Sequence, residues 1–254
     1  MKKHKKKILF FSTLIVVLFY IMSIPAAAEE STTELSKDIS GISGLLGNTD
    51  TLGIIYSLTI IALIPSILIM TTCFTRIIIV LSILRNAIGL QQTPPNQVLV
   101  GIAIFLSLFI MSPVIQDVNE QAYTPYKNGE ITQQQALDNA IVPLREFMLR
   151  QTKEEDLNFF LDVNNSPRPE SLDEVSTLVV IPAFITSELK RAFIIGFLLY
   201  LPFLIIDMVV ASTLMSMGMV MLPPTMISLP FKLMLFVLVN GWQLTFQTLI
   251  SGFN

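Results

Sequence analysis

Long apolar stretches without a formal charge recur along this chain, among them Leu52–Met70, Val98–Ile115, Ala192–Ile206 and Leu233–Phe253. A helix needs about 20 predominantly apolar residues to cross a bilayer, so each stretch is a candidate transmembrane segment. The chain as a whole is 52% hydrophobic and 14% charged, with a mean hydropathy of +0.67. That is too apolar for a soluble domain of this length, and the apolar residues come in blocks rather than as one core pattern. The expected fold class is all-α: a multi-pass membrane protein of kinked, discontinuous helical hairpins with a small extracytoplasmic helical domain.

The inventory of reactive side chains excludes a good deal. Cys73 is the only cysteine, so no intrachain disulfide can form. His4 is the only histidine, and it falls in a segment expected to be removed. The rest of the chain then lacks the usual nucleophile–base pair and an ordinary transition-metal site. No glycine-rich phosphate loop or Walker-type lysine is present either. The expectation is a protein that is not an enzyme and has no cofactor, no metal and no nucleic-acid partner. The formal net charge of -3 adds little, because its sign varies by region.

Residues 1–28 read as a cleaved signal peptide: the cationic MKKHKKK, an apolar run, Pro25, and the small residues Ala26-Ala27-Ala28 before Glu29. Residues 29–50 form a polar N-terminal segment. Residues 51–116 read as a first membrane hairpin, with a kink at Pro65 and a turn closed by Pro94-Pro95. Arg76 and Arg85 near that turn suit the cytoplasmic side under the positive-inside rule.

Residues 117–176 are the solvated region, with twelve acidic and five basic residues. Asn128-Gly129 marks a turn there. Thr132 and Gln135 have capping-box spacing, and Leu137, Ile141, Leu144 and Met148 then recur at helical intervals. Ser171 and Glu174 suggest a second capping box. This region is expected to be the extracytoplasmic domain, its apolar face either packed internally or joining copies of the chain.

Residues 177–254 form the expected second membrane hairpin, interrupted by Pro182, Pro202, Pro223, Pro224 and Pro230. Backbone that leaves the helix at membrane depth persists only where protein buries it or where it lines a water-filled path. Asp207 interrupts the apolar run, and a carboxylate there needs a partner such as Lys232 or a neighbouring subunit. Glu188, Lys190 and Arg191 form a charged knot suited to a helix or subunit contact; Glu188 and Arg191 have the spacing to pair on one helix.

The stretch MSMGMVMLPP (215–224) places methionine at four alternate positions, and seven of the chain's 12 methionines lie between Met208 and Met234. Gly218 and Pro223-Pro224 favour a loop over a continuous helix. Flexible thioethers repeated around a ring of subunits would form an adaptable plug; the alternative is packing within the membrane.

Three passages carry a family resemblance: PLREFMLRQTKEEDL at 143–157, PAFITSELKRAFIIGF at 182–197, and MGMVMLPPTMISLPFKLMLFVLVNGWQ at 217–243. Over about residues 50–252 the chain resembles the FliP family of type III secretion export-gate proteins. Ile194 stands where that family more often has a polar residue. The resemblance implies a signal-bearing, multi-pass protein of the cytoplasmic membrane and flagellar basal body. It also implies a homo-oligomer of about five copies that forms a channel with FliQ and FliR, beside FlhB and FlhA. Unfolded flagellar subunits would pass through its centre. The family's methionine gasket falls here on Met219, Val220 and Met221, with valine replacing the central methionine. The competing readings are a virulence-type export gate, a secondary transporter, or a scaffold without a pore.

Overall fold

The computed structural model describes residues 51–90, 92–164, 171–219 and 221–253. The expected signal peptide, the polar segment 29–50 and Val220 lie outside the described residues. The chain divides into two compact units, 1–63 and 64–254, and in the first only residues 51–63 are described.

Every regular element among the described residues is helical. Helix α1 (Thr51–Met70) continues through Pro65. A short break leads to α2 (Phe74–Ile88), and Pro95 introduces α3 (Asn96–Ile110). Then come α4 (Ser112–Val118), a π-helical turn at Asn119–Tyr123 and the single turn α5 (Thr124–Lys127), with a 58° bend between α3 and this run. Helix α6 (Gln133–Gln151) starts at a full capping box: the Gln135 N–H donates to Thr132 Oγ1, and the Thr132 N–H donates to Gln135 Oε1. Helix α7 (Glu154–Val163) and a 3₁₀ turn (Leu172–Glu174) precede the 40-residue α8 (Thr177–Ser216). Helices α9 (Pro224–Leu238) and α10 (Gly241–Ser251) close the chain, bent by 62°.

The interior is built on α2 and the N-terminal half of α8. Ile77, Val80, Leu81, Leu84 and Ile88 recur at three- and four-residue intervals, so one face of α2 is apolar and buried. Ile77, Val80 and Leu81 share one core with Val179, Val180, Ala183 and Phe184 of α8, Phe147 and Met148 of α6, and Leu157 and Leu161 of α7. A smaller cluster of Leu84, Ala87, Ile88, Phe203 and Phe236 extends it toward α9.

Four details depart from the sequence reading. Arg76 is not a loop charge: it is 1% exposed, inside the core, so it lends no weight to a cytoplasmic loop. Ser171 makes no side-chain cap bond; Val175 is extended, and α8 begins only after Ser176, so matching spacing did not produce a second capping box. Leu137 and Ile141 are exposed, against the internal-packing alternative for that face but not against a contact between copies. The buried face of α6 is Pro143, Phe147, Met148 and Gln151. Finally, among the described residues one helix, α8, is long and apolar enough to cross a membrane, or up to three spans if each bent pair counts as one. Hydropathy alone suggested four.

Candidate functional site

The methionine stretch joins α8 to α9. The helix ends in a paired-bond cap: the Gly218 N–H donates to Met215 O (3.0 Å) and the Met219 N–H to Leu214 O (3.0 Å). That closure requires a left-handed residue at its hinge, and Gly218 supplies it at φ +76°. Pro224 occupies the first turn of α9, where its missing N–H costs nothing. The break therefore has a local cause on each side. Met215 lies in the last turn of α8, Met217 caps it, and Met219 and Met221 lie in the link. Met219 is 40% exposed and Met221 is 97% exposed. A large thioether left as open as Met221 is a surface waiting for a neighbour.

Behind the loop, α8 and α9 meet at Asp207. Lys232 Nζ donates to Asp207 Oδ2 (2.6 Å) and to Ala87 O at the end of α2 (3.1 Å). Ser228 Oγ donates to Asp207 Oδ1 (2.6 Å). Lys232 and Ser228 are buried and Asp207 is partly exposed. The pair is thus hydrogen-bonded on both sides, as an ion pair withdrawn from water must be.

The charged knot on α8 divides differently from the sequence reading. Glu188 does not pair with Arg191. It takes a two-pronged pair from Arg76: Arg76 Nε donates to Glu188 Oε2 (2.8 Å), and Arg76 Nη2 donates to Glu188 Oε1. Arg76 Nη2 also reaches Gln151 Oε1 (3.1 Å), and Nη1 reaches Gly252 O (2.9 Å). The Phe253 ring lies over the guanidinium, 3.6 Å away. Arg191 donates to the same Gln151 oxygen (2.7 Å). A planar fork engages a carboxylate better than a helix neighbour that must bend back toward it, and Arg76 is already fixed in the core.

Lys190 turns instead to Asp156 of α7, which also accepts from Ser187 Oγ (2.7 Å). Burial works against the charge on Asp156. The hydrogen bonds from Lys190 and Ser187 outweigh it and hold the carboxyl below its ordinary range. Gln151, Asp156 and Ser228 were not singled out from sequence, and Arg76 was read there only as a marker of the cytoplasmic side, although an arginine within an apolar run was a usable signal of a buried partner. Among the described residues, no group of three or more His, Cys, Asp or Glu side chains could hold a metal ion.

Residues 57–249 match the model of the FliP family. The chain is 50% identical over 205 residues to the flagellar biosynthetic protein FliP of Bacillus subtilis (strain 168), covering 81% of this chain and 93% of that protein. Identity to the protein of the same name from Pectobacterium carotovorum subsp. carotovorum is 54% over 196 residues, covering 77% and 76% of the two chains. To that from Aquifex aeolicus (strain VF5) it is 49% over 207 residues, covering 81% and 87%.

Proposed function

The chain belongs to the FliP family, and we propose on that footing that it is a membrane subunit of the flagellar type III protein export gate. Several copies, with FliQ and FliR, form a helical channel in the cytoplasmic membrane through which unfolded flagellar subunits leave the cell. Residues 1–28 are the cleaved signal, and residues 117–176 face away from the cytoplasm. The link around Met219, Val220 and Met221 narrows the closed channel. FlhA and FlhB are neighbours in the same apparatus.

The observation that carries this reading is the link itself. A polypeptide conduit must hold back ions at rest and yield to side chains of any shape, so it needs apolar groups that are adaptable and weakly held. Met221 stands almost fully exposed at the tip of the hairpin and Met219 is partly exposed beside it, as gate-lining groups should be. The remaining surface supports assembly rather than isolation: Phe193, Phe197, Ile205, Met208 and Val209 of α8 are all exposed.

Deleting the coding sequence and restoring it from a plasmid tests the assignment. The deletion strain should be non-motile and release no flagellar subunits into the medium, and the plasmid should restore both. Filaments assembled without the protein would overturn the assignment.

A further inference from the structure

The two arms of the methionine hairpin are held in an unusual way. Among the described residues from 204 to 231, only Ser228 is buried. Neither arm therefore has an apolar face packed against the body of the protein, which is where most helical stability in folded chains comes from. The grip lies at the base. Phe203 of α8 and Phe236 of α9 meet there with ring centroids 6.4 Å apart, and both belong to the cluster that includes Ala87 of α2. One turn farther out on each arm stand Asp207 and Lys232, joined to each other and, through Lys232, to the Ala87 carbonyl. Beyond that turn Ser228 still bonds Asp207, and Leu229 reaches the Gly89 cap of α2. A Cβ on that glycine would lie 3.4 Å from Leu229 Cδ1, and the arms then run on to the link.

We propose that Lys232, whose partner Asp207 is also held by Ser228, is a positioning residue: the polar anchor that ties both arms to α2 and limits how far the methionine hairpin can swing from it. Its two hydrogen bonds join three helices. Asp207 is on α8, Lys232 itself is on α9, and Ala87 offers one of the last carbonyls of α2, which has no helical donor of its own. An ammonium suits this place because it donates in several directions at once, to a carboxylate and a carbonyl together. An aromatic or aliphatic contact would hold the arms less directionally. The meaning of this anchor for transport rests on the reading of the link as the closure. Its existence as a mechanical stop does not.

Amide hydrogen exchange on the purified membrane complex, reconstituted in lipid nanodiscs, tests the anchor without reference to transport. In Lys232→Ala, amides of 208–227 should exchange at least ~10-fold faster, since local opening follows the contacts that oppose it. Amides of α6 (133–151) should keep their rates. Lys232→Arg should stay near wild type, because it retains a cation able to reach both oxygens. Ser228→Ala should give a smaller acceleration in the same peptides. Unchanged exchange in 208–227 for Lys232→Ala would overturn the proposal. So would equal acceleration in α6, because the lysine would then hold the whole fold rather than the hairpin. A complex with the expected exchange pattern but unaltered ion leakage would leave the anchor standing and count against the closure reading instead.

Discussion

Arg76 and Glu188 lie 112 positions apart in sequence and meet as a two-pronged ion pair in the interior, 1% and 0% exposed. The pair joins α2 to α8 at the point where α6 and the C-terminal turn also converge. Gln151 bridges Arg76 and Arg191, while Gly252 and Phe253 close over the guanidinium.

Removing one partner strands the other as a buried charge, at a cost of about 3–5 kcal/mol. Glu188→Ala and Arg76→Ala should both lower the thermal midpoint of the solubilised protein sharply and reduce its amount in membranes. Arg76→Lys should restore little, because a lysine cannot make the forked contact and also reach Gln151 and Gly252. Wild-type melting in Glu188→Ala would show that the pair contributes nothing net.

The bend between α9 and α10 depends on a missing side chain. Asn240 takes the left-handed conformation at φ 50°, and a Cβ on Gly241 would lie 2.1 Å from Phe236 Cε2. That ring is itself packed edge-on against Trp242, with centroids 5.3 Å apart. Gly241→Ala should therefore destabilise by roughly 1–3 kcal/mol through overpacking. Gly101→Ala is the matched control: nothing lies within 4 Å of its added Cβ, and alanine favours the helix there. Similar melting curves for the two variants would refute the steric account.

The link offers a direct test of closure. Met219→Ala with Met221→Ala removes most of the side-chain volume there without touching the Gly218 cap or the Asp207–Lys232 contact. Cells producing the assembled complex should become sensitive to external ions while export continues. Ion sensitivity equal to wild type, at equal amounts of complex, would place the seal elsewhere.

Orientation can be read with thiol chemistry, since Cys73 is buried and silent in the folded protein. Gln134→Cys and Glu155→Cys put thiols on exposed positions of α6 and α7. A membrane-impermeant reagent should label both from outside the cytoplasmic membrane. Labelling that requires lysis would reverse the proposed placement of 117–176.

Asp156 gives a pH dependence with a defined sign. Its folded carboxyl is held below the ordinary value, so its contribution to stability is complete above the unfolded value, about 4. That contribution is lost as pH falls through the lower folded value. Melting of the solubilised protein should weaken over this acid range, and Asp156→Asn should flatten that part of the profile. An unchanged slope in the variant would assign the acid sensitivity to other carboxylates.

What could be read in advance follows the range of the interaction. The Thr132 capping box and the stop formed by Gly218 with Pro223-Pro224 are decided within a few residues, and sequence suffices for such local chemistry. The Ser171 pattern shows the limit: spacing permits a cap, but the extended backbone at Val175 prevents the helix that would use it. Glu188 was legible as a charge needing a partner, yet its partner sits on a helix 112 residues earlier. On α6, apolar spacing put Leu137 and Ile141 on one face without deciding between internal packing and contact with another copy. The chain leaves both exposed because α8 covers only the C-terminal half of that stripe.

Helix α8 has 40 residues, which at 1.5 Å each makes a rod about 60 Å long. A hydrocarbon layer is about 30 Å thick, so an upright rod of this length cannot be submerged in it. Roughly half must stand clear, as a pile stands above a riverbed. The end bearing Glu188, Lys190 and Arg191 is already fastened to folded protein, whereas the end leading to Gly218 carries exposed apolar side chains. Where the fastened half stops therefore bounds how much of α8 is available to enter lipid. A change of one helical turn there would raise or lower the methionine link by about 5 Å.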